Sequence, residues 1–238
     1  MRRQDNSYTI VFALVVCALC SLSLAIVTES FKARREINEG FEIKRNILKA
    51  VHLKEPLPAR APQETIIKIY EEKISGVVID REGNILPGRI PGEEGKGKEG
   101  LPLYIYQEGN DVAAYCFPVE GKGLWSTLYG YLAIEPDGMT IRGITFYKHK
   151  ETPGLGGEIE REWFQEKFRG KRFWDTASRR QVQVLLIKGK VSEKMPEEQR
   201  PFYVDGISGA TMTSNGVSSL INNGLQTYEP FLKKIRSY

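Results

Sequence analysis

Only two histidines and three cysteines occur among the 238 residues, and this scarcity excludes much catalytic chemistry at once. His52 and His149 cannot form a multi-histidine metal centre, so no metal site is expected. A Ser-His-Asp hydrolase would have His149 alone to draw on. Nucleotide fingerprints fail as well. Gly154-x-Gly156 has Ile159 where a third glycine belongs, and Gly121-Lys122-Gly123 lacks the Lys-Ser/Thr ending of a phosphate-binding loop. Cys17 and Cys20 lie in an apolar run, where small soft side chains serve packing. Cys116, between Tyr115 and Phe117, reads as a core residue, so beyond that run no disulfide framework can form within one chain.

Positive charge on the folded part is also missing. The chain carries a formal +4, but Lys32, Arg34, Arg35, Lys44, Arg45, Lys49 and Lys54 face only Glu36, Glu39 and Glu42 within residues 31–54. That segment holds the entire excess, and the rest is balanced. A nucleic-acid partner is therefore not expected. The basic segment suits anionic lipid headgroups, and equally a solvated helix face.

The 41% hydrophobic and 27% charged content suits a globular protein with a real core. No charge interrupts the chain between Asp5 and Glu29, and residues 10–27 are almost wholly apolar. Roughly 20 residues of helix cross a hydrocarbon core of about 30 Å. A cleaved signal peptide is the rival reading, with Arg2 and Arg3 ahead of the run and Ser23-Leu24-Ala25 as a cleavage site. The run exceeds the usual apolar region of about 7–15 residues, which favours an uncleaved single-pass anchor. Charge alone would keep the following part in the cytoplasm, but Glu36, Glu39 and Glu42 dilute that bias and leave topology open.

Beyond the anchor, apolar spacing predicts a helix over 31–53, a proline-rich linker at 55–63 and a helix over 64–74. A short strand at 76–80 and a polar, glycine-rich loop at 87–100 follow. Aromatic and β-branched runs at 103–106, 112–119, 129–134 and 141–147, separated by turn residues, predict an antiparallel sheet. Helix is expected at 158–168, strand at 182–187 and a final helix from about Ser214 to Tyr228. Strands clustered between helices argue for an α+β fold with a mainly antiparallel sheet and flanking helices.

Three segments could carry chemistry. Residues 121–131 contain a turn presenting one large aromatic, Trp125. Residues 151–159 combine three glycines, which permit close backbone approach to a ligand, with the polar Glu151 and Thr152. Residues 205–217 run small side chains directly into the last helix, whose N-terminus offers unpaired N–H groups and a positive dipole end suited to phosphate. Local physics alone favours a plainer account of that third segment, a helix cap at Thr213 or Ser214 after an ordinary turn.

Taken together, GKGLWSTLYGYLAI, ETPGLGGEI and DGISGATMTSNGV closely resemble, in order and approximate spacing, the C subunits of the Na+-translocating NADH:quinone oxidoreductases. The resemblance covers essentially the whole chain and is weakest over 55–100. It implies an electron-transfer component of the sodium-pumping complex, relaying electrons from NADH towards ubiquinone. Three parts are then expected: an anchor at 1–30, a juxtamembrane helical and linker region at 31–100, and an FMN-binding domain at 101–238.

The site residues below are likewise implied by the resemblance. Thr211 would carry FMN covalently through a phosphoester. A flavin transferase using FAD and Mg²⁺ would attach it, recognising Asp205, Ser208, Gly209 and Ala210. Trp125 would lie beside the isoalloxazine and Leu155 would exclude water, while Glu151, Thr152 and Gly154 would contact the ring edge. Thr213 belongs to the same helix start, and Lys188 is a candidate charge near the phosphate. No general acid or nucleophile is expected in turnover. The family arrangement places the chain in a bacterial inner membrane with the flavin domain in the periplasm, against the raw charge count. Other subunits, the transferase and membrane lipid are the expected partners. Two alternatives stay open: the G subunit of an Rnf-type ferredoxin:NAD oxidoreductase, which the GKGLWST segment argues against, and an unflavinylated membrane-tethered binding module.

Overall fold

The aromatic and β-branched runs between residues 101 and 148 pair as four neighbouring strands of a six-stranded sheet. The computed structural model describes residues 6–53, 61–91 and 100–236. The chain divides into an N-terminal helical unit, Met1–Glu42, and a domain, Ile43–Tyr238.

A single helix, α1 (Asn6–Ala50), runs through the apolar stretch and beyond it. Tyr8–Lys32 is long and apolar enough to cross a membrane, and Ile10, Phe12, Leu14, Leu19, Leu24 and Ile26 are all exposed. Within the domain the end of α1 is buried at Ile47, Leu48 and Ala50, as is Val51 just beyond it. The helix stops where His52 takes a left-handed φ of 45°. Arg142 caps it, donating to the carbonyls of Val51 and His52 as well as to Ala113 O and Glu135.

The helix α2 (Gln63–Lys73) leads into β1 (Ile74–Ile79) and β2 (Ile85–Leu86). These join β3 (Leu101–Glu108), β4 (Asp111–Lys122), β5 (Thr127–Ile134) and β6 (Ile141–Lys148) in the order β2-β1-β3-β4-β5-β6, every pair antiparallel. Most of the expected linker at 55–63 and the expected loop at 87–100 lie outside the described residues.

After β6 the chain is less regular. The expected helix at 158–168 is three short pieces: a 3-10 turn at Gly156–Glu160, α3 (Glu162–Gln165) and a second 3-10 turn at Glu166–Phe168. The strand expected at 182–187 is shorter. β7 (Trp174–Asp175) pairs with β8 (Arg180–Gln181), and β9 (Leu185–Ile187) pairs in parallel with β10 (Tyr203–Asp205). Between β9 and β10 lie α4 (Val191–Lys194) and a 3-10 stretch, Glu197–Phe202.

The last helix, α5 (Thr211–Arg236), begins earlier and ends later than apolar spacing predicts. It continues past Pro230, whose missing N–H and ring clash cost about 3 kcal/mol. Phe231 and Leu232 are buried beyond it, and packing holds the final turns in place. Val217, Leu220, Ile221, Leu225 and Tyr228 bury one stripe of α5 in the core that contains Phe117 and Val119 of β4. Tyr228 stacks on Phe117 at 4.0 Å between centroids and donates to Pro102 O at 2.7 Å. Ala114 and Cys116 point to the opposite face, and burial pushes the Cys116 thiol pKa up, leaving it an inert core group.

Candidate functional site

The β4–β5 connection closes tightly, with Gly123 N–H donating to Ser126 O at 2.8 Å. It leaves Trp125 70% exposed and Leu124 nearly half exposed, on a domain whose other aromatics are mostly packed. Beneath it, three consecutive backbone N–H groups converge on one carboxylate. Trp125 and Ser126 donate to Glu151 Oε1 at 2.9 and 3.3 Å, and Leu124 donates to Oε2 at 3.3 Å. Ser126 Oγ accepts from Lys150 N–H at 2.7 Å, which fixes the turn to the end of β6.

The second segment is built on a β-turn, with Leu155 N–H donating to Thr152 O at 3.1 Å. Pro153 occupies its second position and Gly154, with φ of 74°, its third, as a type II turn requires. Gly157 N–H also reaches Thr152 O, at 2.9 Å. Gly156 has no room for a side chain: a Cβ there would lie 2.4 Å from Thr213 Oγ1 and 2.9 Å from Glu151 Oε2. Leu155 projects towards the third segment, since a Cβ on Gly209 would meet its Cδ2 at 3.0 Å.

The third segment repeats the turn design. Ala210 N–H donates to Ile207 O at 3.1 Å, and Gly209 adopts φ of 77°. Asp205 Oδ1 accepts from Val191 N–H at 2.7 Å, and Lys167 Nζ lies 3.9 Å from Oδ2. Ser208, Gly209, Thr211 and Met212 are exposed, whereas Ala210 is buried. Lys188 follows the Ile187–Asp205 pair at the surface, one residue beyond the end of β9.

A helix cap at Thr213 or Ser214 is not what forms. α5 begins at Thr211, and Ser214 N–H donates to Ala210 O at 2.9 Å, so both residues lie inside the first turn. Ser214 Oγ accepts from Ile207 N–H at 3.2 Å, bracing the preceding turn. Thr213 Oγ1 donates to Glu151 Oε2 at 2.7 Å. Thr211 itself is exposed, at the positive end of a 26-residue helix.

All three segments therefore meet at one end of the domain, linked through Glu151. That carboxylate is only 5% exposed and has both oxygens engaged by protein donors. Burial works against its charge, but the Thr213 hydroxyl and the N–H groups of Trp125, Leu124 and Ser126 outweigh it and hold the carboxyl below its usual range. His149 supports the same point, its Nδ1 accepting from Glu151 N–H at 3.2 Å. Nothing in the sequence marks His149 or Ser126 for this role, because it depends on the β6 end folding back under the turn. Exposed Trp125, Leu124, Leu155 and Met212 give this end an apolar surface, the usual mark of a binding site.

Residues 123–226 match the FMN-binding domain family. The chain is 31% identical to the C subunit of the Na+-translocating NADH-quinone reductase of Yersinia pestis, over 96% of this chain and 92% of that protein. It is 29% identical to the C subunit of the Pseudomonas aeruginosa reductase, over 98% and 97%. The crystal structure of the corresponding Parabacteroides distasonis protein superposes with a TM-score of 0.70 at 28% identity, covering 84% of this chain and 96% of that one. Shewanella oneidensis NqrC superposes at 0.67 with 25% identity, over 83% and 97%.

Proposed function

Since the chain belongs to the C-subunit family of the Na+-translocating NADH-quinone reductases, we propose that it carries FMN esterified to Thr211 and relays electrons between redox centres of that membrane complex. The observation that carries this reading is the exposed Thr211 at the head of α5, at the same end of the domain as exposed Trp125 and Leu155. The residues present fit the group. An indole and a leucine side chain provide apolar surface for a flat ring system, and a helix N-terminus suits a phosphate.

Bound FMN supplies the redox chemistry; the protein supplies binding, orientation and electrostatics. Trp125 offers its flat face to the ring, and Leu155 keeps water from it. Thr152 and Gly154 would hold the ring by polar and backbone groups, and the first-turn N–H groups of α5 would favour the phosphate's negative charge. Ser208, Gly209 and Ala210 keep the segment before Thr211 small enough to enter the transferase site, and Asp205 holds the preceding strand end to Val191. Lys188, one residue beyond the end of β9, would be the positive charge nearest the phosphate in this reading.

Attachment is a single group transfer. The Thr211 oxygen bonds to the FMN-side phosphorus of FAD, the pyrophosphate bond breaks, AMP leaves, and the hydroxyl proton passes to solvent. A Mg²⁺-dependent flavin transferase catalyses it outside the cytoplasm. The domain accordingly lies on the periplasmic side of the inner membrane, anchored by Tyr8–Lys32. Neighbouring subunits of the complex supply the electron donor and acceptor.

Co-expression with the transferase, followed by a denaturing gel under ultraviolet light, tests the attachment. A fluorescent band is expected for the wild-type chain and none for Thr211→Ala; the reverse pattern rejects it. Protease treatment of intact spheroplasts tests the topology, since the domain should be cut before lysis.

A further inference from the structure

Burying an ionised carboxylate costs several kcal/mol unless its oxygens are satisfied. Glu151 achieves this with N–H and O–H donors, three from residues 124–126 and one from Thr213. Convergent backbone N–H groups of this kind ordinarily form a cradle for a bound anion. Here the anion is the protein's own. Glycines wall it on two sides: a Cβ on Gly123 would lie 2.6 Å from Oε1, and one on Gly156 would lie 2.9 Å from Oε2. With both oxygens occupied and no space beside them, the carboxylate is not a ligand for anything outside the protein.

We infer that Glu151 is a positioning residue: it assembles the flavin site before any flavin is attached, locking the Trp125 turn to the first turn of α5. This rests on the flavin reading given above, and it assigns Glu151 to the protein framework rather than to the ring edge. One side chain reaches 25 to 27 residues back to the turn and 62 forward to Thr213. The Glu151 charge also stays behind the site. A fixed negative charge in the framework opposes electron addition to a flavin held at this end of the domain, so it would set the potential lower than a neutral side chain would.

Hydrogen exchange on the full chain, expressed without the transferase, tests the positioning directly. Glu151→Gln turns an NH₂ group towards N–H donors, so amides 124–126 should exchange at least about tenfold faster. Thr213→Val should speed exchange at Trp125, to which Thr213 is linked through Glu151, and Thr213→Ser should restore protection. In the flavinylated complex, Glu151→Gln should raise the midpoint potential. Wild-type protection at 124–126 in the Gln and Val variants would overturn the inference, and wild-type protection in Thr213→Val alone would overturn it should Glu151→Gln prove too unstable to measure. These exchange results are independent of where the flavin attaches. Flavin found away from Thr211 would reject the attachment and leave the positioning role standing.

Discussion

Thr213 Oγ1 donates to Glu151 Oε2 across 2.7 Å, joining the head of the last helix to a loop 62 residues earlier. A hydrogen bond to a buried charge contributes about 1.5–3 kcal/mol. Thr213→Val keeps the shape and removes the donor, so the denaturation midpoint should fall by a corresponding amount. A midpoint unchanged within error would show that the bond contributes nothing to stability.

Gly216 lies one turn further along α5. Alanine is favoured over glycine in a helix interior by about 0.8–1.0 kcal/mol, so propensity predicts that Gly216→Ala stabilises. The contact reverses the sign, because the added Cβ would sit 2.4 Å from Lys122 O, a backbone atom that cannot swing away. Thermal melts should place Gly216→Ala below wild type, and a higher melting temperature would contradict this packing.

Phe117 and Tyr228 separate two contributions at the sheet–helix contact. Phe117 is fully buried against the Tyr228 ring, and Phe117→Ala should cost about 3–5 kcal/mol. Tyr228→Phe retains the stack and loses the bond to Pro102 O, at a cost of about 1 kcal/mol. Urea titrations of the two variants should differ by that margin.

Acid should loosen the site. The Glu151 carboxyl is held below its ordinary value in the folded protein, so its contribution to stability is fully present above that value, near 4.5. It is lost as pH falls through the lower folded-state value, where the unfolded chain has already taken up its proton. Stability measured from pH 7 down to 3 should decline more steeply in wild type than in Glu151→Gln. Parallel curves would contradict the assignment.

Strands β3 to β6 were legible because each is an aromatic and β-branched run between clear turns, and 103–106, 112–119, 129–134 and 141–147 all fall within them. The exposure of Trp125 could be read from its glycine-flanked turn. Segments held by long-range contacts were less legible. Residues 156–168 break into short helices as the chain follows the sheet, and α5 passes Pro230 because buried Phe231 and Leu232 outweigh a local rule. Local capping rules pointed to Thr213 and Ser214, but their hydroxyls serve partners at 151 and 207, a choice made only by the folded chain.

Mass mapping of the mature chain tests the covalent attachment most directly. After co-expression with the flavin transferase, the peptide containing Ser208, Thr211, Thr213 and Ser214 is isolated and fragmented. One FMN, added with loss of water, is predicted on Thr211. The same addition on Ser208, Thr213 or Ser214, or an unmodified peptide, would contradict it.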